Sequence, residues 1–133
     1  MTAEIKNNFI DLIELINIAQ EALKSAPYKL FENIIRLILK KLHEQEIELE
    51  RLSLELDEMQ TIPVDDLDEF YDNILKNIDD LKLLKKKLEQ LKEEDPLFLS
   101  LYNQIDKLIT NLNIYMDRMG QLEIRILKNK KIA

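Results

Sequence analysis

The sequence predicts an all-α fold: an up-down-up-down antiparallel four-helix bundle with coiled-coil-like packing, made of three long helices and a shorter N-terminal one. Three observations predict it. Apolar residues recur at alternating spacings of three and four through most of the chain, the pattern of helices that lie along other helices. One Gly and three Pro among 133 residues leave little material for the many turns of a β-fold. The three prolines, Pro27, Pro63 and Pro96, stand where the apolar seams break, so the chain reads as one helical domain over residues 1–133 with helices at about 3–24, 27–60, 63–93 and 96–128.

The first helix is expected to open at Thr2, an N-cap residue type. Its seam runs through Ile5, Phe9, Leu12, Ile16, Ala19 and Leu23, and Ile10, Ile13, Leu15, Ile18 and Ala22 widen the apolar surface well beyond that seam. Such a helix is either central in a bundle or buried against another chain. Ser25-Ala26-Pro27 ends it, with proline expected in the first turn of the next helix and Ser25 or Ala26 at the cap. The second helix carries the organising seam: Tyr28, Phe31, Ile35, Ile38, Leu42, Gln45, Leu49, Leu52, Leu56, Met59, with Leu30, Ile34 and Leu37 as a second stripe. The third runs through Leu67, Phe70, Ile74, Asn77, Leu81, Leu84, Leu88 and Leu91, after Asp65 and Asp66, which suit the positive end of a helix dipole. Asp95-Pro96 forms an N-cap followed by proline at the first helical position. The fourth seam is the most regular: Phe98, Leu101, Ile105, Leu108, Leu112, Tyr115, Met119, Leu122, Ile126. Residues 129–133 are expected to fray.

At 1.5 Å per residue the three long helices span roughly 45–50 Å and the first only about 33 Å. Folding the second and third helices about residue 61 brings Gln45 level with Asn77, the polar members of their seams. Asn7 arrives at nearly the same height. A buried polar layer of Gln45 and Asn77 that fixes register is therefore expected. Charge gives a second expectation. Eight acids and no Lys or Arg lie between Leu52 and Leu75, and Arg125, Lys128, Lys130 and Lys131 arrive at the same pole.

Composition narrows function mainly by exclusion. Charged residues make up 34% of the chain and apolar ones 46%, which suits amphipathic helices rather than a disordered chain. A net charge of −7 argues against nucleic-acid binding. Without cysteine there is no disulfide, thiolate metal site or cysteine nucleophile, and a reducing, cytoplasmic location is expected. The apolar stretch Phe9–Ile18 is interrupted by Asp11, Glu14 and Asn17, so it reads as neither membrane span nor signal peptide. No cofactor or metal is expected.

Three constellations still offer chemistry. His43, the single histidine, falls one position past the seam and is expected to be exposed, where a free imidazole nitrogen can meet a response-regulator aspartate. The run Leu42-His43-Glu44 resembles the phosphoacceptor box of sensor-kinase dimerisation domains, which implies a histidine phosphotransfer role. The continuation Gln45-Glu46-Ile47-Glu48 departs from that box, and no ATP-binding motif is present. Without that role, His43 is a surface histidine beside Asp79 or Asp80. Arg36 and His43, on one helix face about 10.5 Å apart along the axis, are similar in spacing to the Arg-x(4–6)-His signature of HEPN-type ribonucleases, which implies RNA cleavage. Glu55-x-x-Glu58 and Glu69-x-x-Asp72 resemble the magnesium-binding carboxylates of MazG-type nucleotide pyrophosphohydrolases. That resemblance implies a cation held between two helices, yet Glu58, Glu69 and Asp72 fall on outward heptad positions.

The expectation that best joins these observations is a protein without catalytic activity that binds protein. Ile10, Leu15, Ile18, Ala22, Leu30, Ile34 and Leu37 exceed what one bundle face needs, so they are expected to form the interface of a homodimer or higher oligomer.

Overall fold

The computed structural model describes residues 10–59, 61 and 67–132, and contains four α-helices and, among these residues, no strand. They are α1 (Ile10–Ser25), α2 (Tyr28–Leu56), α3 (Leu67–Leu91) and α4 (Pro96–Ile132). The expected cap at Thr2, the seam members Ile5 and Phe9, Asn7, and the first-turn pair Asp65 and Asp66 lie outside the described residues.

Each seam becomes the buried edge of its helix. Leu12, Ile16 and Ala19 of α1, Phe31, Ile35, Ile38 and Leu42 of α2, Ile74, Leu81, Leu84 and Leu88 of α3, and Phe98, Leu101, Ile105 and Met119 of α4 are all within the core. Phe31 meets Phe98 edge to face at 5.2 Å between ring centroids, joining the starts of α2 and α4.

The directions follow the expected up-down-up-down course, and the order around the bundle adds a feature the heptads did not specify. Tyr28 at the start of α2 bonds Asp95 at the start of α4, and Arg125 near the end of α4 bonds the carbonyl of Leu56 at the end of α2. So α2 and α4 are parallel neighbours. Lys85–Asp106 and Phe70–Tyr115 contacts run the opposite way between α3 and α4, which are antiparallel. Helix α1 packs along α2 and meets α3 sparsely, and no Cα of α2 lies within 8 Å of one in α3 among the described residues. The circuit is α1–α2–α4–α3, with α2 and α3 on one diagonal.

That circuit corrects the polar layer expected from Gln45 and Asn77. Asn77 is buried and Gln45 half-buried, but their Cα atoms stand more than 8 Å apart because their helices are not neighbours. Glu46, one residue on, takes over the linking role. Its largely buried carboxylate accepts hydrogen bonds from Gln104 Nε2 and, at 3.5 Å, from Asn111 Nδ2, and pairs with Lys107 Nζ at 2.9 Å. Three positions of α4 thereby converge on one side chain of α2.

Helix boundaries differ from expectation where the backbone finds other partners. Pro27 occupies the N-cap position of α2 rather than its first turn, and no side chain caps that end. Helix α2 stops at Leu56 instead of about residue 60. Its last turn tightens, with Glu58 N–H donating to Glu55 O and Met59 N–H to Leu56 O. The Arg125 guanidinium then donates to the Leu56 and Met59 carbonyls at 3.1 and 2.8 Å, placing a cation at the negative end of the helix. Asp95 does cap α4 as expected: its Oδ1 accepts from Leu97 N–H at 2.8 Å. Helix α4 reaches Ile132; no proline interrupts it, and Gly120 keeps a helical backbone. A Cβ added at Gly120 would meet only Tyr71 Oη at 4.0 Å, so close helix approach does not account for that glycine.

One core group is poorly matched to its surroundings. Tyr115 is fully buried, its ring edge-on to Phe70, and its hydroxyl has no hydrogen-bond partner among the described residues. Burial pushes its phenol up to about 12 from the usual 10. An unpartnered hydroxyl costs its desolvation without return. Tyr115→Phe is therefore expected to raise stability by about 1 kcal/mol in urea unfolding. A phenol whose folded pKa is raised keeps its proton after the unfolded chain has lost it. Its contribution is complete below pH 10 and lost as pH rises toward about 12. The Phe variant should thus lose less stability across that alkaline window. A drop in stability at pH 7 would mean that the hydroxyl is satisfied.

Candidate functional site

Helical geometry gathers the residues that sequence reasoning assigned to an interface. At 100° per residue, Leu30, Ile34 and Leu37 fall within an arc of about 60° on α2, and Leu15, Ile18 and Ala22 within a similar arc on α1. The two-residue junction Ala26-Pro27 makes α1 and α2 antiparallel. That pairing sets Ala22 at the height of Leu30, Ile18 at that of Ile34, and Leu15 at that of Leu37. The two arcs meet along the outer edge of the α1–α2 contact.

Burial then divides the group. Ile18, Leu30 and Leu37 are 47%, 49% and 46% exposed, whereas Leu15 and Ile34 are half-buried against the core. Ala22 is buried within its own chain, so it belongs to the core and not to a free surface. The side chain of Ile10 lies outside the described residues.

The stripe is bordered by charge of opposite sign. Glu14 and Glu21 are exposed on the edge of α1 that turns away from α2. Lys29, Arg36 and Lys40 are exposed on the edge of α2 that turns away from α1. Lys29 and Arg36 both reach Glu32 of their own helix, at 3.1 and 3.5 Å, and keep most of their surface in solvent. The face is thus an acidic rim, an apolar middle and a basic rim.

The candidate catalytic residues are all exposed. His43 is exposed, as its heptad position implied. Asp79 and Asp80 do not pair with it, because α2 and α3 lie across the bundle from each other. Arg36 is exposed on the same helix and its guanidinium is engaged by Glu32. Glu55 on α2, Glu58 in the turn after it, and Glu69 and Asp72 on α3 are all exposed, and α2 and α3 are not neighbours. Glu55 pairs with Arg51 at 2.8 Å. Among the described residues, no group of three or more His, Asp or Glu side chains is placed to hold a metal ion.

The acidic pole does receive α4, though not in the way charge alone suggested. Arg118 pairs with Asp57 at 2.7 Å, and Arg125 serves backbone carbonyls rather than carboxylates. The side chains of Lys130 and Lys131 lie outside the described residues.

Sequence reasoning missed Glu46. The signal was present on the other helix: Gln104, Lys107 and Asn111, at spacings of three and four, form a polar stripe beside the α4 seam. Such a stripe needs a partner, and Glu46 is the acid that reaches it.

No family model matches the chain, and neither a curated protein nor a solved structure matches it. Among the described residues, no helix is long and apolar enough to cross a membrane.

Proposed function

We propose that this chain is a non-catalytic helical binding protein that pairs with a second copy of itself through the outer α1–α2 face. The observation that carries the reading is the stripe of Ile18, Leu30 and Leu37, about half exposed, lying between the two oppositely charged rims. Contiguous apolar surface with a polar rim is the mark of an interaction site. A two-fold axis parallel to the helices would set α1 of each copy against α2 of the other, so Glu14 and Glu21 would face Lys29, Arg36 and Lys40 of the second copy. The same surface is then complementary to itself in both shape class and charge, as a two-fold interface requires. The lack of cysteine supports a reducing compartment such as the cytoplasm.

A charge exchange tests this orientation. One variant carries Glu14→Lys and Glu21→Lys; the other carries Lys29→Glu, Arg36→Glu and Lys40→Glu. Each alone should self-associate about tenfold more weakly at low salt, since rim charges contribute only modestly one by one. Mixing the two should restore association as a heterodimer, read by sedimentation with one partner labelled. Failure to recover on mixing would rule out the α1-against-α2 arrangement.

A further inference from the structure

The helices of the bundle are held by two different kinds of contact. Helices α2 and α4 are tied through Tyr28–Asp95, Glu46 with Gln104, Lys107 and Asn111, Asp57–Arg118, and Arg125 on the α2 carbonyls. Helices α3 and α4 are tied through Lys85–Asp106 and through Lys92, which stands 4.7 Å from the Tyr102 ring centroid. Helix α1 has none of this. Among its described residues the one side-chain hydrogen bond is internal, from Ser25 Oγ to Glu21 O. It touches α2 along its length and α3 sparsely, and no Cα of it lies within 8 Å of α4. Among the described residues, apolar contact holds it, through Leu12, Ile16, Ala19 and Ala22.

With α2 and α3 on a diagonal and α4 bridging them, α1 sits in a groove whose walls are α2 and α3. We infer that this groove is an acceptor for an amphipathic helix, that α1 is its intramolecular occupant, and that a partner helix of the same pattern can replace it. That pattern is apolar residues at i, i+4, i+7 and i+11, read from Leu12, Ile16, Ala19 and Leu23, with alanine at i+7 where Ala19 is fully enclosed. Helix-in-groove recognition uses the same spacing. A second copy's α1 is a poor candidate for exchange. The hinge to α2 is only Ala26-Pro27, and proline in the middle of one continuous α1–α2 helix would clash with the carbonyl four residues earlier. The groove lies against the inner side of α1, so the inference is independent of association through its outer side.

Amide hydrogen exchange on the full chain tests this, at a concentration low enough for the protein to be monomeric. The amides of α1 should exchange together and faster than the core amides of α2, α3 and α4, through opening of α1 alone. Ile16→Ala should speed exchange in α1 by about thirtyfold or more, given the buried groups removed, and leave α3 and α4 unchanged. A labelled peptide of residues 10–25 should then bind the Ile16→Ala protein saturably, read by fluorescence anisotropy. Exchange of α1 only with global unfolding, acceleration spread over all four helices, or no saturable peptide binding would each overturn the inference.

Discussion

The double variant Ile18→Glu, Leu37→Glu is expected to be a folded monomer under conditions where the parent chain self-associates. Full burial of a Leu or Ile side chain contributes about 1.5–3 kcal/mol, and about half of each of these two is already covered within the chain. Each therefore has about 1 kcal/mol left to gain at an interface. A two-fold dimer counts each residue twice, so four side chains contribute about 4 kcal/mol, or about a thousandfold in the dissociation constant. The chain should still fold, with each substitution giving up the covered half of its side chain, about 1 kcal/mol. Circular dichroism melts and sedimentation on the same samples separate the two effects. A variant that unfolds would mean that Ile18 and Leu37 are core.

Replacing Glu46 should have the next largest effect, and on folding rather than association. Glu46→Ala removes the acceptor that Gln104, Lys107 and Asn111 share. Hydrogen bonds to a charged group contribute about 1.5–3 kcal/mol, and the amides left behind are half-buried. Lys107 is largely solvated, so its share is small. A loss of about 2–3 kcal/mol in urea unfolding is expected, with a fall in Tm on the order of 5–10 °C. Gln45→Ala should cost clearly less, since Gln45 faces no α3 partner. The reverse ranking would restore the Gln45–Asn77 layer and place α2 beside α3.

That comparison marks how far the sequence could be read. Heptad spacing identified nearly every core position, from Phe31 through Leu56 on α2 and from Phe98 through Leu122 on α4, because burial of one helical face depends on local periodicity alone. The order of helices around the bundle was not legible. An antiparallel pair and a diagonal pair need the same apolar seams, and what distinguishes them lies in polar flanking residues such as Glu46 and Tyr28. Tyr28 looked like a seam residue and is instead about half exposed, with its hydroxyl on Asp95. The candidate face was legible in part. The surplus of apolar residues on α1 and the start of α2 was visible as composition, but only tertiary packing could move Ala22 into the core and leave Ile18, Leu30 and Leu37 outside. The opposed charged rims were not seen from sequence, because their placement needs the antiparallel docking of α1 on α2. For His43 and Arg36 on α2, and for the carboxylate pairs, spacing along the chain did not specify which helix stands beside them, because α2 and α3 are not neighbours.

Sedimentation equilibrium of the unmodified chain over a range of micromolar concentrations tests the central claim most directly. Reversible dimerisation that weakens in the Ile18→Glu, Leu37→Glu variant is the predicted result. A monomer at every concentration would contradict self-association through the α1–α2 face.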